Sequence, residues 1–370
     1  MPQSIKSLAA IVHAPDQGFR IEELDLDPPR AGEVLVRVRA AGVCHSDWNL
    51  ASGATPHPLP VVAGHEGAGV VEAVGPGVDR IRPGDHVILS WAPSCGFCPH
   101  CIEGRPALCA THHEAIWAGT LLDSSTRWRL DGRPVHHYCG LSCFAERTVV
   151  PAISCVPVER ALPFPVAALL GCAATTGVGA VLNTARVPAG STVAVYGAGG
   201  VGLSIILAAK LAGARRIVAV DRSEAKREIA MDSGAVEFVS AGPEAAAEVR
   251  KASGGRGADF VFEATGVPTV QEECIDAVRA GGTVVYVGLP PMGSRTNLPG
   301  AAITRREITI AGCYYGGACP DRDFPLYARL YREGKLELDR LLGRTYPLAA
   351  INEAYAELLR GEGRRGILFP

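Results

Sequence analysis

Over the first 150 or so residues, apolar and polar positions alternate in short runs that end at Gly and Pro. Glu33–Ala40 (EVLVRVRA) alternates, Gly67–Val74 (GAGVVEAV) stops at Gly75-Pro76-Gly77, and Asp85–Ser90 (DHVILS) is entered through Arg82-Pro83-Gly84. A period near two, closed by tight turns, predicts strands, and strands at this spacing predict a compact domain resembling a β-barrel. Residues Ala110–His137 have no clear period and read as a long connection, and Pro151–Leu170 is rich in Pro and Ala. Cys172 then opens a helix reaching roughly to Thr184. Beyond Pro188-Ala189-Gly190 the pattern changes. A continuous apolar run, Ser191–Tyr196, is followed by helical and strand patterns in turn: Val201–Ala212, Arg216–Val220, Glu224–Asp232, Val236–Val239, Glu244–Ala252, Asp259–Glu263, Thr269–Arg279, Thr283–Gly288 and Glu307–Gly312. Strands alternating with helices predict a doubly wound parallel sheet, so the chain reads as α/β. Pro325–Gly343 and Ala349–Arg360 read as helices, and Gly366–Pro370 as a strand returning to the first domain. The parallel domain, 174–314, is therefore expected to be inserted in one built from 1–173 and 315–370, with ligands in the cleft between them.

Composition narrows the possibilities. A chain of 370 residues is long for one core, which supports two domains, and 48% hydrophobic with 20% charged residues suits a globular enzyme. A formal net charge of -2 predicts no attraction to nucleic acid or to an anionic membrane. Met1–Ala10 lacks the pattern of a signal peptide, and later apolar runs break before the roughly 20 residues needed to span a bilayer. Most of the twelve cysteines lie in metal-ligand spacing, which fits a reducing cytoplasm better than a disulfide framework.

Cys95, Cys98, Cys101 and Cys109 form a C-x2-C-x2-C-x7-C loop. Four thiolates this close can complete a tetrahedral zinc shell and staple a loop that buries little. An iron–sulfur cluster is the rival, although no Pro follows Cys109. Cys44, His65 and Cys172 offer a second set, two thiolates and an imidazole, which leaves a zinc with its fourth position open as catalysis requires. A buried histidine with two unrelated core cysteines is the plainer alternative. Gly197-Ala-Gly199-Gly200-Val201-Gly202 follows a strand and opens a helix, and Asp221 ends the next strand. Such a turn lets backbone approach a pyrophosphate at a helix N-terminus, while the carboxylate accepts from a ribose and repels a 2′-phosphate, which favours NAD over NADP. Lys226 reads equally as a ribose ligand or a solvated lysine, and His136-His137 as structural.

Together, Gly42-Val-Cys44-His45-Ser46-Asp47, Gly64-His65-Glu66, the four-cysteine loop, Gly171-Cys172, the Gly197–Gly202 turn and Asp221 resemble the zinc-dependent medium-chain alcohol dehydrogenases over essentially the whole chain. The long segment after Cys109 looks like the dimeric, liver-type branch. The resemblance implies a GroES-like barrel holding two Zn2+ per chain, a Rossmann domain binding NAD, and a homodimer that oxidises primary alcohols, aromatic ones included, to aldehydes. It implies that Cys44, His65 and Cys172 hold the catalytic zinc, that Asp47 and Glu66 stand behind them, and that Ser46 takes the alcohol proton. It places Thr176 and Val201 against the nicotinamide, Val287, Cys313 and Tyr315 at its carboxamide, and His45 and Arg365 at the pyrophosphate. The pocket would be lined by Thr55, Trp91, Tyr138, Cys139, Leu289 and Tyr314, though core packing explains its aromatics equally well. Trp91 would crowd a branched carbinol carbon. Two departures stand out. Asn49 replaces the histidine that ends the family's proton relay, and His45 replaces a pyrophosphate-binding arginine, which predicts weaker NADH retention. Two other readings are a thiol-adduct formaldehyde dehydrogenase, disfavoured by Ala54-Thr-Pro-His-Pro with no acidic residue, and a non-catalytic NAD- and zinc-binding protein.

Overall fold

The computed structural model describes residues 3–361 and 363–370; Met1, Pro2 and Glu362, which fall in the two outer segments of the expected division, lie outside the described residues. Five strands close a small barrel in the order Ile5–Val12, Arg20–Leu26, Trp128–Leu130, Arg133–His137 and Val61–Val62. Ile11, Leu24, Leu26, Val62 and Trp128 pack in its core. A second sheet runs Cys155–Val158, His86–Leu89, Gly67–Val74, Glu33–Gly42, Arg365–Phe369 and Leu342–Pro347, with Arg147–Pro151 also paired to Glu33–Gly42. Its central strand is patterned as its sequence requires: Val34, Val36 and Val38 are buried, while Arg37 and Arg39 face solvent. The C-terminal strand enters this sheet beside residues far earlier in the chain, Ile367 opposite Gly42 and Leu368 opposite Ala41.

The third sheet is wholly parallel, in the order Glu237–Ser240, Arg216–Asp221, Thr192–Tyr196, Ala258–Glu263, Val278–Tyr286, Thr309–Gly312. Thr192–Tyr196, the first strand of this sheet in chain order, is central and buried at every position, which is why it reads as an unbroken apolar run. The sheet order reverses on either side of it, so the crevice at its carboxyl end is where a doubly wound sheet takes its ligands. No single helix among the described residues is long and apolar enough to cross a membrane.

Three expectations fail. The supposed connection Ala110–His137 holds helix Ala110–Ala118 and two barrel strands. Those strands are only three and five residues long, and inward positions are filled by His137 and its neighbours, so no hydrophobic period marks them. Pro325–Gly343 is not one helix: the helix runs Pro320–Arg332, and residues Leu342–Pro347 are a strand parallel to Arg365–Phe369. Pro320 sits in the first turn, where proline is favoured, and Pro325 lies within the helix. The Pro- and Ala-rich stretch contains helix Phe164–Leu170, and the cysteine loop contains short helical turns at Pro99–Ile102 and Pro106–Leu108.

Burying polar groups inside a barrel requires that each find a partner. The Arg127 side chain, wholly buried, donates through Nε to Glu33 (2.8 Å), through Nη1 to Ser125 Oγ (2.6 Å) and through Nη2 to Asp123 (2.6 Å), with a second contact to Glu33. His137 Nε2 accepts the Arg127 N–H at 3.2 Å, so this ring must be neutral. Burial, reinforced by the charge of Arg127, pushes His137 down to about 3. Because its folded pKa lies below the unfolded value near 6.5, the neutral ring supports folding fully above that value. The contribution is lost as pH falls toward 3, by roughly 2 kcal/mol at pH 5. His137→Gln keeps an acceptor for the Arg127 N–H without titrating. Denaturant titrations at pH 7 and pH 5 should therefore show a smaller pH dependence for this variant than for the unaltered protein; equal dependence would refute the assignment.

Candidate active site

The four cysteines of the loop converge, their sulfurs lying within 4.8 Å of one another. Cys95 Sγ is 3.9 Å from Cys101 Sγ, and Cys98 Sγ is 3.9 Å from Cys109 Sγ. A tetrahedron with bonds of about 2.3 Å has edges of about 3.8 Å, so the sulfurs are spaced for a zinc ion. The Cys98 N–H donates to Cys95 Sγ at 3.3 Å and the Cys95 N–H to Cys109 Sγ at 3.4 Å, bonds that favour thiolates. Against desolvation, the Thr111 hydroxyl and the N–H groups of Phe97 and Cys98 draw Cys95 down to about 6. Cys109, more deeply placed, is pushed up to about 11 by desolvation.

The second cluster joins three parts of the chain. Cys44 precedes helix His45–Ala51, His65 lies between strands Val61–Val62 and Gly67–Val74, and Cys172 precedes helix Ala173–Gly179. Ligand atoms of Cys44, His65, Glu66 and Cys172 all lie within 4.8 Å of one another, and all four residues are buried. His65 turns Nε2 toward the sulfurs, 3.3 Å from Cys172 Sγ, and Nδ1 toward Asp47, 2.9 Å from Oδ2, an ion-pair approach rather than a well-aligned hydrogen bond. Asp47 is itself held, since its Oδ1 accepts the Gly64 N–H at 2.9 Å. Burial alone would lower His65, but Asp47 and Cys44 outweigh it and hold the ring well above its ordinary value. The hydrogen bond with Cys172 holds Cys44 well below the usual thiol range, and the same bond, with burial, raises Cys172. Two sulfurs and an imidazole around one point suit zinc. Ser46 Oγ lies 3.7 Å from Cys44 Sγ.

Glu66 was expected only to stand behind the ligands. Its carboxylate reaches the cluster, yet both oxygens also meet the buried Arg365 guanidinium (Nε to Oε1, 3.1 Å; Nη2 to Oε2, 2.5 Å), and Oε2 accepts the Ala173 N–H at 3.3 Å. This pairing spans 299 positions, and no local signal announces it. Arg365 also flanks the glycine turn, its Nη1 lying 3.3 Å from where a Cβ on Gly200 would stand.

In that turn Gly197 has φ +97°, and a Cβ on Gly202 would lie 1.6 Å from the Gly197 carbonyl oxygen, so the backbone closes only with glycine there. Gly199 precedes the helix that Gly200, Val201 and Gly202 open. Asp221 accepts the Ala198 N–H (2.7 Å) and the Ser223 N–H (2.9 Å), which anchors it at the turn. Lys226 donates to the Gly363 carbonyl. His45 stands exposed; desolvation within the cleft, then the charges of Arg365, Arg222 and Lys226, hold it below its ordinary value. The turn around Tyr315 packs on Thr176, with a Cβ on Gly316 falling 2.9 Å from the Thr176 carbonyl, while the Tyr315 hydroxyl donates to Gly171 O at 2.6 Å. Val287 and Cys313 follow adjacent strands, their N–H groups donating to Glu263 O (2.8 Å) and Tyr286 O (2.9 Å).

Aromatic rings wall His65. Trp91 stands edge-on to it with centroids 6.5 Å apart, Tyr138 at 5.8 Å, and Tyr314 meets Trp91 at 5.2 Å. The Tyr138 hydroxyl donates to Ser46 O (3.1 Å), and Cys139 beside it is buried. Thr55 is partly buried, its N–H donating to Asn49 O at 2.9 Å, and Leu289 is 60% exposed. Sequence reading missed His57, whose ring meets Tyr138 at 5.5 Å; it lies in the Ala54–Pro58 loop, which was read only for its lack of acids.

An alcohol dehydrogenase GroES-like domain model matches residues 30–160, and a zinc-binding dehydrogenase model matches residues 200–333. An NDMA-dependent alcohol dehydrogenase from Amycolatopsis methanolica is 40% identical over 98% of this chain and 99% of its own length. An S-(hydroxymethyl)glutathione dehydrogenase from Paracoccus denitrificans is 34% identical over 98% of this chain and all of its own length (100%). The benzyl alcohol dehydrogenase structure from Acinetobacter calcoaceticus superposes with a TM-score of 0.93 at 32% identity, covering 99% of each chain. With its barrel, its doubly wound sheet and both cysteine clusters, the chain belongs to the zinc-dependent medium-chain alcohol dehydrogenase family.

Proposed function

We propose that the protein oxidises primary alcohols to aldehydes with NAD. The convergence of Cys44, His65 and Cys172 beside Ser46 carries this reading, because a purely structural zinc needs only the four-cysteine loop. A zinc ion and a nicotinamide bound here supply, respectively, Lewis acidity that acidifies the alcohol and a hydride acceptor. The chain does the positioning. Asp47 orients the imidazole of His65, Ser46 takes the proton, and Asn49, which cannot titrate, leaves water to carry it outward. Thr176, Val201, Val287, Cys313 and Tyr315 hold the nicotinamide, and the Gly197–Gly202 turn with Arg365 holds the pyrophosphate. Asp221 accepts the ribose hydroxyls and disfavours NADP. Trp91, Tyr138, Cys139, Tyr314 and Thr55 shape the pocket, and Trp91 disfavours branched carbinols. Turnover of benzyl alcohol, compared with that of formaldehyde plus glutathione, with NAD and NADP and with and without NDMA, tests the reading. A preference for the glutathione adduct would establish the alternative that two relatives bear in their names.

His45→Arg adds a fixed guanidinium at the pyrophosphate and should tighten NADH several-fold by fluorescence titration; an unchanged affinity removes His45 from the cofactor site. We further propose a cytoplasmic homodimer. The edge strand Thr309–Gly312 is partly exposed, and Met292 and Leu298 on the preceding segment are also uncovered. Light scattering should give twice the 38.7 kDa chain mass; a monomer would rule this out.

A further inference from the structure

Helix Ala110–Ala118 lies over a narrow cleft of about 10 Å3, partly open to solvent and just large enough for one water-sized group such as a hydroxyl, lined by Trp91, Pro93, His112, Ile116, Trp117 and Tyr314 among others. Trp91 also faces His65, so the cleft adjoins the wall of the substrate site. Two lining residues carry buried polar atoms with no partner among the described residues: Trp91 Nε1 and both ring nitrogens of His112, a residue only 2% exposed. Desolvation holds His112 below its ordinary value, and the ring is neutral, with one donor and one acceptor. Buried polar atoms are ordinarily satisfied, so three in one cleft need an explanation. No Lys or Arg lines the cleft, so nothing in it would balance a carboxylate.

We propose that His112 and the Trp91 N–H form a subsite for an uncharged oxygen at the far end of the alcohol, a hydroxyl above all. A hydroxyl accepts from Trp91 Nε1 and donates to the unprotonated nitrogen of His112, which satisfies two of the three atoms. The preferred substrates are then alcohols with a second hydroxyl, such as hydroxylated aryl carbinols. The proposal rests on the alcohol-oxidising reading of the neighbouring centre.

The test compares kcat/KM for para-hydroxybenzyl alcohol and para-methylbenzyl alcohol, which match in size but not in hydrogen bonding. The unaltered enzyme should prefer the hydroxyl compound by about tenfold or more, since leaving buried polar groups unpaired costs affinity. His112→Phe should bring the ratio near one, and His112→Gln should retain part of the preference. Because both substrates are read on the same protein, a loss of folded enzyme cancels from the ratio. Calorimetric titration of both compounds into the zinc-loaded protein gives the same ratio without turnover. Binding preference without oxidation would sink the oxidation reading and leave this one standing. An equal ratio in the unaltered protein and His112→Phe, by both measurements, would overturn it.

Discussion

Replacing Cys172 with serine should lower alcohol oxidation by more than about a hundredfold, beyond the 10–100-fold typical of groups that only support a metal ligand. Zinc content should fall from about two ions per chain to about one, since the serine hydroxyl is a poor replacement for a thiolate and the four-cysteine loop is untouched. NADH affinity should survive, because the Gly197–Gly202 turn and Asp221 hold their geometry through backbone contacts that do not involve Cys172. The hydrogen bonds of the neighbouring Arg365–Glu66 pair do not use the Cys172 sulfur. Zinc analysis, fluorescence titration and NADH absorbance separate these effects. Undiminished oxidation with one zinc lost would show that the three-ligand cluster is not the catalytic centre.

Arg127→Leu should be the most damaging single change to stability away from that centre. The guanidinium bonds Glu33 at the start of the central strand of the second sheet and Asp123 and Ser125 at the entry to the barrel strand Trp128–Leu130. Removing it leaves Glu33, 6% exposed, as a buried carboxylate that keeps the Arg30 N–H but loses its counter-charge, for which about 3–5 kcal/mol is typical. Guanidinium chloride unfolding should show an unfolding free energy lowered by that amount, and adding Glu33→Gln should recover part of it by removing the stranded charge. A double variant no better than the single one would mean that the loss comes from packing and not from charge. Oxidation by the folded fraction should persist, because the pair is not among the residues that surround His65.

What the sequence determined by itself lies in local chemistry. Thr192–Tyr196, the glycine turn and Asp221 are legible because a buried parallel strand, a close backbone turn and a carboxylate at a strand end each need particular residues at fixed spacing. The four-cysteine loop is legible for the same reason, since its ligands fall within 15 residues of one another. The three-residue cluster needed the family resemblance, because Cys172 stands 107 positions from His65 and no local rule connects them. Tertiary structure alone decided the rest. Trp128–Leu130 and Arg133–His137 are strands because the barrel supplies their partners, while their polar residues hide the period. Leu342–Pro347 is a strand because Arg365–Phe369 is laid beside it. Glu66 meets Arg365, Arg127 meets Glu33, and His112 and Trp91 come to line one cleft only once the chain has closed. A charge or a hydrogen bond in a dry interior depends on which groups packing brings within a few ångströms, and sequence separation says nothing about that.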